Sequence, residues 1–147
     1  MSGIVDRRVE LDRRSPPTVV VRCAGERGVR ELLAGIEEEG VPVRLAGADG
    51  RDLEARGDGE SGTAAGVNTT AVELAHAAAR ASPLDVGVGV DAEGRVCVHH
   101  AKRPADRPVV TADSTRARWC GHNAARLVVG LPLKEPPDEM EETWSHH

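Results

Sequence analysis

The chain has 147 residues, a formal net charge of −5 and no Phe or Tyr, with only two Trp. That length suits one domain built on a single hydrophobic core. The acidic balance excludes nonspecific nucleic-acid binding, which needs a basic face to displace phosphate counterions, and the scarcity of aromatic rings leaves little for bases to stack on.

No apolar run approaches the eighteen or so residues of a bilayer span, so no membrane partner is expected. The charged start (Asp6, Arg7, Arg8, Glu10) lacks the apolar segment of a secretory signal. Three widely spaced cysteines, Cys23, Cys97 and Cys120, do not form a closed disulfide framework. They read as buried thiols of a cytoplasmic protein.

Residues 1–17 are polar and end in Ser15-Pro16-Pro17, which reads as a flexible leader. Thr18 to Cys23 is a short β-branched run and the expected first strand, buried on both faces. Val29, Leu32, Leu33 and Ile36 recur at the spacing of one buried helical face, predicting a helix over about 26–39 that Gly40 and Pro42 stop. A second strand is expected from Val41 to Ala46, joined to the first by a right-handed parallel crossover.

Residues 47–69 are Gly-rich and polar with no apolar period, the composition of an inserted mobile loop. Its Arg56-Gly57-Asp58 triplet is an adhesion motif only by coincidence. A helix near 70–81 follows, with Ala71, Leu74, Ala75 and Ala78 on one small apolar face. In Leu84 to Val90, Val86, Val88 and Val90 alternate with Gly87 and Gly89. Glycines along one face of a strand imply a backbone or helix packed very close to it.

Asp91-Ala92-Glu93-Gly94 reads as a hairpin turn into Arg95 to His99, so the fourth strand should run antiparallel to the third. Pro108 to Thr111 makes a last short strand. Asp113 or Ser114 caps a final helix over about 115–129, with Cys120, Ala124, Leu127 and Val128 facing inward. An acidic tail, 134–147, reads as disordered. The expected fold is a three-layer α/β/α sandwich in one domain over 18–133, its five-stranded sheet mostly parallel with strand 4 reversed.

Gly87-Val88-Gly89 lacks the third glycine and the following helix of a dinucleotide fingerprint, and no Gly-Lys-Ser/Thr phosphate loop occurs. Cys97, His99, His100, Cys120 and His122 do not make a convincing zinc set. Cys120 and His122 lie about 200° apart on a helix, which favours Cys120 in the core and His122 at the surface. Neither adjacent histidine has a nucleophile or an orienting carboxylate placed by sequence, so no catalysis is expected from this chain.

What remains is Glu37-Glu38-Glu39, three carboxylates at the negative end of a helix dipole. With Ile36 pointing inward, Glu37, Glu38 and Glu39 lie about 100°, 200° and 300° round the helix, which aims Glu38 most directly away from the core. Spacing alone fits a solvated charged face. It also fits a carboxylate serving a partner, either as one ligand to a hard cation completed by another chain or as mate to an Arg.

Several segments resemble one family. Leu32-Leu33-Ala34-Gly35-Ile36-Glu37-Glu38-Glu39-Gly40-Val41-Pro42-Val43-Arg44-Leu45 is similar to the signature of the small subunit of diol/glycerol dehydratase reactivating factors. The similarity continues through Ala78 to Gly89, Val98-His99-His100, and Asn123-Ala124-Ala125-Arg126-Leu127-Val128-Val129-Gly130-Leu131-Pro132-Leu133. The resemblance implies the fold of the dehydratase β subunit and a large actin/Hsp70-like ATPase partner, paired as two of each. It implies a chaperone that releases damaged cobalamin from inactivated adenosylcobalamin-dependent dehydratase by subunit exchange.

ATP and ADP would then belong to the large subunit only, and this chain would carry no cofactor of its own. Glu38 would help ligate a divalent cation (Mg or Ca) at the interface, flanked by Glu37 and Glu39. A cytoplasmic protein associated with a bacterial microcompartment is the expected setting. The alternatives are a structural subunit of the dehydratase itself and a free-standing flavodoxin-like binder of small molecules. An isolated chain is expected to self-associate through its exposed partner surface.

Overall fold

The computed structural model describes residues 17–53 and 69–135. Most of the leader, residues 54–68 of the insertion with the Arg56-Gly57-Asp58 triplet, and the tail from 136 onward lie outside the described residues. The elements in chain order are β1 (Val19–Cys23), α1 (Val29–Glu38), β2 (Val43–Gly47), α2 (Ala71–Ala81), β3 (Val86–Val90), β4 (Val96–His100), β5 (Val110–Ala112) and α3 (Ala117–Val129), the last entered through a 3-10 turn over Ser114–Arg116.

The sheet order is β2-β1-β3-β4-β5. The β1–β2 and β1–β3 ladders are parallel, and the β3–β4 and β4–β5 ladders are antiparallel. Strand β4 is the reversed one, but half the ladders are antiparallel, so the sheet is mixed rather than mostly parallel. The cause is local: the turn at Asp91–Gly94 is too short for a crossover. It is fixed by Asp91 Oδ1, which accepts from the backbone N–H of Glu93 and of Arg95, each at 2.9 Å.

One face of the sheet carries α2. Gly87 and Gly89 make that approach possible: a Cβ on Gly87 would sit 2.1 Å from the Ala79 backbone nitrogen, and one on Gly89 2.4 Å from the Ala71 carbonyl. The helix meets them with buried Ala71, Ala75, Ala78 and Ala79. It starts on a reciprocal capping box in which Thr70 Oγ1 accepts from Glu73 N–H and the Glu73 carboxylate accepts from Thr70 N–H, both at 3.1 Å.

The other face holds the larger core. Val19, Val21, Val86, Val88, Val90, Val96 and Val98 pack there against Leu32 and Ile36 of α1 and against Ala117, Cys120, Ala124 and Ala125 of α3. Burial of β-branched side chains on this scale is the dominant stabilising contribution. Leu127 and Val128 are only partly buried, so the α3 face turns toward Ala125 and Asn123 more than its apolar spacing implied.

Element ends move by one to three residues for identifiable reasons. The first helix begins at Val29, not near 26, because Gly28 holds a left-handed φ of 81°. Strand β2 begins at Val43, since the Val41 N–H turns back to the Ile36 carbonyl at 3.5 Å to close the helix end. Asp113 caps the 3-10 turn rather than α3 itself, its side chain accepting from Thr115 N–H at 3.1 Å. The insertion is not featureless where it is described: Gly47 N–H donates to the Arg51 carbonyl at 2.8 Å, and Ala46 bridges Asp52.

Candidate functional site

Helices α1 and α3 lie side by side in backbone contact. A Cβ on Gly35 would come 2.3 Å from the Arg118 carbonyl, and one on Gly121 2.2 Å from the Leu32 carbonyl. Glycine inside a helix costs roughly 0.5–1 kcal/mol relative to alanine, so two facing each other need a packing reason. That reason is the seam, which carries the polar edge of α1 up to the polar edge of α3.

Glu38 sits on this seam. Its carboxylate receives a fork from Arg118, with Nε donating to Oε1 at 3.2 Å and Nη2 donating to Oε2. The third arm of the same guanidinium, Nη1, donates to Glu31 Oε1 at 2.7 Å. His122 Nε2 lies 2.7 Å from Glu38 Oε1, and the Lys134 ammonium lies 3.0 Å from His122 Nδ1. An ammonium has only hydrogens to give, so Nδ1 accepts and the Nε2–H points at Glu38.

These donors hold the Glu38 carboxyl well below the usual carboxylate range, at about 2, with the Arg118 bond the largest cause and His122 the next. The Arg118 guanidinium is pushed further up by Glu38 and then Glu31. Glu38 keeps 45% of its side chain exposed, so water screens the pair.

The other carboxylates of the triplet part company. Glu39 turns inward along the seam, its side chain 17% exposed, and accepts from Arg126 Nε at 3.3 Å. Glu37 stays exposed. The helix has no basic residue in its own last turn, and the counter-charge comes from α3 instead. His122, expected at the surface, has only 17% of its side chain exposed because it lies between Glu38 and Lys134.

Behind this cluster the chain after α3 doubles back as a strap. The Lys134 carbonyl accepts from Trp119 Nε1 at 2.9 Å and Asn123 Nδ2 at 3.2 Å, while Lys134 N–H donates to Asn123 Oδ1 at 2.7 Å. The strap leaves Val129, Leu131 and Leu133 as exposed large apolar residues beside the charged seam.

The other candidates serve packing. Cys97 lies with Ala71 and Ala75 on the α2 face, whereas Cys120 lies in the core on the α1/α3 face. Burial pushes the Cys23, Cys97 and Cys120 thiols up to about 12, which disfavours the thiolate that nucleophilic or metal-binding roles need. His99 is fully buried. Its Nδ1 accepts from His100 N–H at 2.9 Å and its Nε2 donates to the Ala105 carbonyl at 3.0 Å, which ties down the loop after β4. Among the described residues no group of three or more His, Cys, Asp or Glu is placed to hold a metal ion. Glu38 fits a hard cation only as a single oxygen ligand, with both oxygens already engaged.

Glu38 stands out in the sequence, whereas Arg118, His122, Glu31 and Lys134 around it, and Arg126 on Glu39, do not. The available signal was Gly35 and Gly121, interior helix glycines with Glu31 and Glu38 seven residues apart on one side and Arg118 and His122 four apart on the other.

Fold and seam together define a small α/β protein whose α1/α3 seam carries a charged, half-exposed cluster. A family model described as "Dehydratase medium subunit" matches residues 64–134. The diol dehydratase-reactivating factor small subunit of Klebsiella michiganensis is 40% identical over 72% of this chain and 73% of its own length. The propanediol dehydratase-reactivating factor small subunit of Salmonella typhimurium is 37% identical over 80% of this chain and 87% of its own. A solved glycerol dehydratase reactivase superposes with a TM-score of 0.64 at 36% identity, covering 82% of this chain and 98% of that one. The structure of diol dehydratase-reactivating factor complexed with ADP and Mg2+ gives 0.61 at 35% identity, covering 82% and 100%. The chain belongs to the family of dehydratase-reactivating factor small subunits.

Proposed function

We propose that the chain acts as the non-catalytic small subunit of a reactivating factor for adenosylcobalamin-dependent diol or glycerol dehydratase. It pairs with a large actin/Hsp70-like subunit that carries the nucleotide, two of each in the complex. By giving up its place to the like-folded β subunit of the dehydratase, it loosens the inactivated enzyme so that damaged cobalamin escapes. The same proposal covers its setting, the cytoplasm and an associated microcompartment. The observation that carries this reading is the likeness to reactivating factor small subunits over most of the chain.

Within that complex, Glu38 is the partner-facing carboxylate, and Glu37 and Glu39 border it. A divalent cation, Mg or Ca, bound there would join Glu38 to oxygen ligands on the large subunit. This chain's own part is to present one oriented carboxylate: Gly35 and Gly121 set the seam, and His122, braced by Lys134, holds Oε1 in direction. The Glu38→Gln variant should keep its fold and weaken co-purification with the large subunit. Undiminished co-purification of that variant removes Glu38 from the interface.

The family model named for a dehydratase medium subunit favours one second reading, a structural subunit of the dehydratase. A pull-down from the host separates the two by whether an ATPase-sized chain or a cobalamin enzyme is the stable partner. Isolated, the chain should self-associate through the surface bearing Val129, Leu131 and Leu133, which sedimentation equilibrium would register.

A further inference from the structure

We infer that Arg118 is an internal placeholder: in the free subunit it masks Glu38, and on docking it withdraws onto Glu31. This rests on the reading of Glu38 as a partner-facing ligand and adds how that ligand is kept and released. The guanidinium already spans both carboxylates, with Nε and Nη2 on Glu38 and Nη1 on Glu31. Releasing Glu38 therefore does not strand a cation. Arg118 keeps a charge-assisted bond throughout, and its planar fork is free to turn both arms to Glu31.

The move is also local. Arg118, Glu31 and Glu38 have side chains 47%, 53% and 45% exposed, so no core residue has to repack. The seam itself is held by glycine contacts and by buried Leu32, Ile36 and Cys120, none of which depends on the guanidinium. His122 stays on Oε1 while Arg118 leaves, so the carboxylate keeps its direction. A guanidinium and a hard cation compete for the same carboxylate, and one doubly bonded to Arg118 offers a cation little. The mask thus keeps the Glu38 carboxylate paired until the partner's ligands arrive, and Glu31 lowers the cost of unmasking.

The test titrates Mg2+ into full-length small and large subunits and reads both the dissociation constant and the Mg2+ concentration at half-maximal association. Arg118→Gln should lower the Mg2+ requirement about two- to fivefold, the range of an exposed ion pair. Glu31→Gln removes the resting place and should raise it by a similar factor. Thermal melts of both variants check that the fold is kept, and Arg118→Lys, which keeps charge without the fork, should fall between wild type and Arg118→Gln. An unchanged or increased Mg2+ requirement in Arg118→Gln overturns the placeholder. If Glu38→Gln associates with wild-type strength and Mg2+ dependence, the interface reading of Glu38 itself is what fails.

Discussion

At the residue scale, Glu38 resolves an electrostatic problem that the chain poses to itself. Three carboxylates at a helix C-terminus repel each other and the dipole, and α1 supplies no cation in its last turn. Arg118 and Arg126, 80 and 87 residues further along the chain, supply the charge to Glu38 and Glu39. Because Arg118 and His122 lower the Glu38 carboxyl from 4.5 to about 2, the pairing is fully present above pH 4.5. Its contribution is lost as pH falls from there through about 2. A carbon-detected NMR titration should place the Glu38 midpoint near 2 in wild type and return it toward 4.5 in Arg118→Gln. An unmoved midpoint in the variant would show that Arg118 is not the cause. Salt should raise the wild-type midpoint as well, since half-exposed charges are screened within a Debye length of about 10 Å at 0.1 M.

At the element scale, the design of this fold is close approach through glycine, on α2 against β3 and on α3 against α1. Gly121→Ala should cost about 3 kcal/mol or more, because its Cβ would meet the fixed Leu32 carbonyl rather than a side chain able to yield. Gly40→Ala should cost only about 1–2 kcal/mol: its φ of 84° is strained for alanine, but nothing lies within 4 Å. Urea denaturation of both variants measures the contrast, and equal losses would mean that the seam is not tightly packed. The glycine face of β3 was legible in the sequence because strict alternation places Gly87 and Gly89 on one side, and small Ala positions on α2 answer it. The α1 core face was legible for the same kind of reason, a local period. The α1–α3 seam was not, because Gly35 and Gly121 each mark a helix face open to close packing but nothing along the chain pairs the two. The sheet came out mixed because a four-residue turn reverses β4, and β5, the next strand in the chain, turns back beside it to add a second antiparallel ladder.

At the scale of the whole molecule, the proposed exchange of subunits would require an interface that forms and then yields. A large apolar seam resembles a severed core and parts slowly, whereas half-exposed ion pairs and a shared cation respond to their surroundings. The α1/α3 surface is of the second kind at its centre, with Glu38, Arg118, Glu31, His122 and Lys134 in one connected set. Among the described residues, its exposed large apolar side chains are Val129, Leu131 and Leu133 beside the strap. If a cation joins the two subunits through Glu38, a chelator should raise the dissociation constant of the wild-type complex at constant salt. The same chelator should have little effect on a complex made with Glu38→Gln, which has already lost that ligand. Salt at about 1 M, where the Debye length is about 3 Å, should weaken both complexes, because the surrounding pairs persist in the variant. Titration calorimetry across these four conditions separates the cation from the general field. A wild-type complex indifferent to chelator but sensitive to salt would assign the interface to the ion pairs alone and leave Glu38 as the mate of Arg118.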